Sequence, residues 1–80
     1  MARATLFQNG VQTAERGLRV PKRVEKIEAW AKAARKCFAR ELGSTHHIAP
    51  SLHKITSEEI RMVFPDGVWI LVRRKACPMG

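Results

Sequence analysis

Lys32, Lys36 and Arg40 recur every four residues in the segment of the chain that reads as a long helix. Four-residue spacing places side chains above one another on one side of a helix. A row of flexible cations suits a polyphosphate backbone, because it meets several phosphates at once and releases their counterions. Lys22, Arg23 and Lys26 extend the row toward the N-terminus, and Arg16 and Arg19 precede it. Between Arg16 and Arg40 only Glu25 and Glu28 oppose these charges. Over the whole chain 15 Lys and Arg stand against 7 Asp and Glu, a formal net charge of +8 on 80 residues. A domain this basic attracts polyanions at long range, nucleic acid foremost. The plainer reading is a solvated helix face, and the net excess of charge argues against it.

A second candidate lies near the C-terminus. In an alternating strand Trp69 shares a face with Val63, Leu71, Arg61 and Arg73, and Arg74 and Lys75 follow. An exposed Trp among arginines can stack an unpaired base while the cations hold phosphates. The competing role for Trp69 is an interface residue, packed on the first hairpin or on a second subunit. The aliphatic neighbours Val63 and Leu71, which also need cover, favour that role.

Other chemistries find less support. His46, His47 and His53 suggest a metal, but zinc sites use ligands at characteristic spacings, and the chain has neither Cys-x-x-Cys nor His-x-x-x-His. No carboxylate lies between Gly43 and Lys54 to orient a histidine toward Ser44, Thr45 or Ser51, so a nucleophile–base pair is not visible. No cofactor motif is found. Cys77, behind Arg73-Arg74-Lys75, has the position of a prenylation box, but Pro78 and Gly80 do not suit one. Two cysteines, Cys37 and Cys77, do not make a disulfide framework. They read as reduced thiols of a cytoplasmic protein. No apolar run reaches the length of about 18 residues expected of a membrane span. Residues 1–10 lack the apolar core of a secretory signal, and the absence of acids before Glu15 only weakly suggests a transit peptide.

The elements that must position these groups fit one small domain. Thr5 to Thr13 reads as a hairpin around Asn9-Gly10, the favoured pair for a type I′ turn. Arg16 and Gly17 are expected to break it, leaving Leu18–Val20 as a brief strand ended by Pro21. Residues 21–42 read as the helix, with Pro21 at its first position and Gly43 as its stop. Val24, Ile27, Ala31, Ala34, Phe38 and Leu42 form its apolar stripe, widened by Trp30 and Cys37. Gly43 to Lys54 reads as a loop. Thr56 and Glu59 have capping-box spacing, but the alternation that follows argues for a strand. Ile60, Met62 and Phe64, then Pro65-Asp66-Gly67, then Val68, Ile70 and Val72 read as a second hairpin with one apolar face. That face closes over the helix stripe.

Two fragments resemble known families. Thr5-Leu6-Phe7-x-Asn9-Gly10, then Gln12 and Arg19-Val20-Pro21-Lys22, resembles the opening of swapped-hairpin (AbrB-like) antitoxins, although that family has a shorter interval there and continues into strands. Leu18-Arg19-Val20-Pro21 followed by Val24, Ile27 and Ala31 is similar to the start of ribbon-helix-helix repressors, without their turn motif and second helix. Both resemblances imply DNA rather than RNA, and the ribbon-helix-helix one also implies a dimer.

The expectation is therefore an α+β fold, with one central amphipathic helix packed on short antiparallel hairpins. Residues 1–75 form a single basic domain and residues 76–80 a flexible tail. The expected function is non-enzymatic nucleic-acid binding, without metal or cofactor and away from membranes, in the manner of a small regulator and with homodimerisation as a way to bury more surface. The alternative is an inhibitor or adaptor that docks on an acidic protein surface.

Overall fold

Asn9 and Gly10 both have positive φ, 55° and 81°, and the chain reverses there as a type I′ hairpin requires. The computed structural model describes residues 2–21 and 26–74. In chain order these form β1 (Ala2–Gln8), β2 (Val11–Leu18), α1 (Ile27–Cys37), α2 (Ala39–Leu42), a 3-10 segment (Gly43–His47), β3 (Ser51–Thr56), β4 (Glu59–Val63) and β5 (Val68–Arg74). The strands make one five-stranded sheet of order β2-β1-β5-β4-β3, antiparallel throughout. The fold is α+β with strands dominating. The helix covers one face of the sheet and is less central than the sequence suggests.

The first hairpin is longer than Thr5–Thr13. Arg16 and Gly17 do not break it; they lie opposite Ala4 and Arg3, and Leu18 ends β2. Leu6 pairs with Ala14 but Phe7 with Gln12, so Thr13 is an extra residue on the edge strand. A bulge of this kind unpairs the ladder and discourages edge-to-edge association. Arg19 and Val20 follow outside any strand, so Leu18–Val20 is not the independent strand that the ribbon-helix-helix resemblance implies.

The second hairpin matches its expected register. Phe64 N–H donates to the Val68 carbonyl at 2.8 Å, and Gly67 takes the left-handed conformation at φ 74°. Ile60, Met62, Phe64, Val68, Ile70 and Val72 are all buried on one face. β1 then pairs with the far side of β5, placing Gln8 opposite Val68 and Ala2 opposite Arg74. The two turns meet: Asn9 N–H donates to the Gly67 carbonyl at 3.1 Å.

The helical stretch departs from expectation at both ends. Pro21 lies outside any helix, and α1 starts at Ile27. Val24 and Glu25 lie outside the described residues. Phe38 interrupts the helix, with ψ at 22°, before α2 runs on to Leu42. Trp30 is a central core residue and does not merely widen the stripe. It is fully buried with Ala34 and Phe38, and its indole N–H donates to the Pro21 carbonyl at 2.9 Å. Cys37 is half-buried. The Gly43–Lys54 loop is also shorter than expected. It holds the 3-10 segment and then β3, which pairs with β4 through a two-residue turn at Ser57-Glu58. Glu58 N–H donates to Thr56 Oγ1 at 3.2 Å, so Thr56 organises a turn and caps no helix.

Candidate functional site

The cations of the expected site fall on several different surfaces. Lys32 and Lys36 are exposed one turn apart on α1. Together with Arg35 and His46 they line a cavity of about 360 Å³ on the outer side of the helix layer. Arg35 reaches from α1 to the 3-10 segment, where its Nη2 donates to the His46 carbonyl at 2.5 Å. Its Nε is buried without a hydrogen-bond partner among the described residues. The bond to His46 brings the loop against the helix and so builds the cavity wall. Arg40 lies beyond the break at Phe38 and does not line this cavity. Lys26 is exposed just before α1. Lys22, Arg23 and Lys75 lie outside the described residues, as do residues 76–80. The four-residue spacing of Lys32 and Lys36 was visible in sequence. Arg35 and His46 were missed as members of the group because a loop carries one of them to the other.

Arg16 is placed elsewhere. It lies opposite Ala4, whose side chain is buried, so it faces the helix side at the edge of the sheet. Its guanidinium sits over the Phe38 ring, 5.2 Å from the centroid, and bonds Glu41 on α2 at 2.6 Å. This arrangement ties β2 to α2. The Glu41 carboxyl is held below its ordinary value, chiefly by the hydrogen bond from Arg16 and next by a backbone hydrogen bond. Arg19 is exposed after the end of β2.

Arg73 and Arg74 point to opposite faces of the sheet, as neighbours in a strand must. Arg74 lies opposite the buried Ala2, on the helix side. Arg73 lies opposite Arg3 on the uncovered face and bonds Glu59 at 3.0 Å.

That uncovered face forms three cross-strand rows. Gln12, Phe7, Trp69, Val63 and Ser51 stand in one; Glu15, Thr5, Leu71, Arg61 and His53 in the next; Gly17, Arg3, Arg73, Glu59 and Thr56 in the third. Phe7 and Trp69 are stacked, with centroids 4.0 Å apart and planes 6° from parallel. The Arg61 guanidinium lies over Trp69, 5.0 Å from the ring centre. Phe7 and Arg61 sit on strands that flank β5 on opposite sides, so they occupy the two faces of the indole. Trp69 is therefore half-buried within its own sheet, packed on the first hairpin, with neither ring face open for a base. Beside it a second cavity of about 360 Å³ opens between β2, β1 and β5, lined by Gln12 and Glu15, by Arg3, Thr5 and Phe7, and by Leu71 and Arg73. Arg3 and Glu15 form an ion pair at 3.5 Å on its rim.

Among the described residues the ion pairs are Arg3–Glu15, Arg16–Glu41 and Arg73–Glu59, so none involves a helix cation. Among the same residues no group of three His, Cys, Asp or Glu is arranged to hold a metal. No described helix is long and apolar enough to cross a membrane. No family model, curated protein or solved structure matches this chain.

Proposed function

We propose that this protein is a non-enzymatic nucleic-acid-binding domain that engages phosphates through the outer side of its helix layer. The observation that carries the reading is the cavity lined by Lys32, Arg35, Lys36 and His46. Three basic side chains and an imidazole line it, largely through their carbon atoms, and none of the described lining residues is a carboxylate. In a chain of net charge +8, such a group is a focus of positive potential at a concave surface. Phosphate oxygens suit it, since Arg35 is already fixed by its bond to the loop and the lysines remain mobile enough to follow a backbone. Arg40, Lys26 and Arg19 add exposed charge along the chain outside the cavity. The sequence-based preference for DNA rests on the two fragment resemblances alone.

The test is a titration of the full chain against duplex and single-stranded probes at several salt concentrations. Binding should weaken log-linearly with salt. Replacing Lys32 and Lys36 together with Gln should preserve the fold, because both side chains are exposed. The same change should reduce the magnitude of the slope by about 2 units, close to one per lost phosphate contact. If the unmodified protein binds neither probe at low salt, the reading fails. Docking on an acidic protein surface then takes its place.

A further inference from the structure

We propose that the uncovered face of the sheet binds one unpaired nucleobase, stacked on Phe7, with its phosphate held by Arg3 and Arg73. The inference rests on the nucleic-acid reading above and adds which form of strand engages a second surface. Trp69 covers the side of the Phe7 ring that faces β5. Phe7 lines the neighbouring cavity and Trp69 does not, so the other side of the ring is turned toward β2 and the cavity. A phenyl ring backed by an indole is a shelf already fixed in place. Stacking on it requires little ordering of the protein, and every base has a face to offer.

The groups around the shelf match the rest of a nucleotide. Gln12 is the cross-strand partner of Phe7, also lines the cavity, and carries an amide donor and acceptor. Glu15 offers carboxylate oxygens, which suit the exocyclic amino group of cytosine. Arg3 and Arg73 are cross-strand partners. Arg3 meets Glu15 through Nη1 and Arg73 meets Glu59 through Nε, so each guanidinium keeps further N–H donors for a phosphate. A cavity of about 360 Å³ is at the lower end of the range for small-ligand sites, which fits one base and not a longer stretch. Duplex nucleic acid keeps its bases paired and stacked, and so cannot fill it.

The experiment compares three probes on the full chain at one salt concentration: a short oligodeoxycytidylate, the same strand with abasic sites, and a duplex containing the strand. The intact strand should bind about tenfold more tightly than the abasic strand, the effect expected for one stacked base. Phe7→Leu should abolish that preference and leave duplex affinity unchanged. Arg3→Gln, at an exposed position, should weaken the intact strand and spare the duplex. Equal binding of intact and abasic strands by the unmodified protein overturns the inference whether or not the Phe7 variant folds, and so does a preference that survives Phe7→Leu. Duplex binding without such a preference defeats this inference alone, whereas failure to bind any probe defeats the nucleic-acid reading as well.

Discussion

The two faces of the sheet are built from the same strands and are organised in opposite ways. The covered face is apolar at its centre, with Arg16 and Arg74 at its margin. Ala4, Leu6, Ile60, Met62, Ile70 and Val72 are 0 % exposed, and they meet Trp30, Ala34 and Phe38 from the helix, also 0 % exposed. Non-directional burial is enough to hold it together. Among the described residues no layer lies above the uncovered face, so its own side chains cover the backbone. It uses the Phe7–Trp69 stack, the Arg61 guanidinium and the Arg3–Glu15 and Arg73–Glu59 pairs. Directional contacts of that kind are each weak in water. The comparison separates what folds this domain from what is left available for a partner. The first face supplies most of the stability, and the second leaves its side chains exposed to a partner.

Three measurements would sharpen or break that division. The largest effect belongs to the covered face. Phe38→Ala should lower stability by about 3–5 kcal/mol, a large share of what a small domain possesses. A chemical denaturation curve measures it, and a midpoint unchanged within error would mean that the helix does not supply the core. A smaller effect belongs to the uncovered face. In a double-mutant cycle on Phe7 and Trp69, the coupling between the two rings should be about 0.5–1.5 kcal/mol. A zero coupling would show that the stack contributes nothing beyond the separate burial of each ring. The smallest effect lies at the rim, where Arg16 and Glu41 join the layers. The Glu41 carboxyl is depressed by the bond from Arg16, so the pair stabilises the fold above the unfolded-state pKa. That contribution is lost as pH falls through the folded-state value. Glu41→Gln should therefore lower the melting temperature slightly at neutral pH and not at strongly acidic pH. An equal drop at both would assign the effect to packing.

Some parts of this fold were legible because their cause is local. Asn9-Gly10 and Gly67 can take left-handed backbone at little cost, which these turns require, so both turns could be read from residue type. The alternation from Ile60 to Val72 fixed which side chains of β4 and β5 share the buried face, since a slip of one residue would invert them. The spacing of Lys32 and Lys36 likewise placed two cations on one side of a helix.

What the tertiary structure alone decided depends on partners distant in sequence. β3 was missed because it is an edge strand: only Leu52 is half-buried, so Ser51–Thr56 carries no alternating pattern to reveal it. The first hairpin was read too short because Arg16 and Gly17 break a local pattern, while their ladder partners Ala4 and Arg3 hold them in the strand. Nothing in the sequence states that β1 lies against β5, and that pairing brings Phe7 to Trp69 and Arg3 to Arg73. The run Arg73-Arg74-Lys75 reads as one patch, yet strand geometry sends Arg73 and Arg74 to opposite faces. Arg16 reads as a free cation until the packing of β2 against α2 brings Glu41 to it. Composition set the charge and residue spacing set the elements. Which charges remain open to a partner depended on how five strands ordered themselves, because pairing across the sheet is long-range and leaves no periodic trace along the chain.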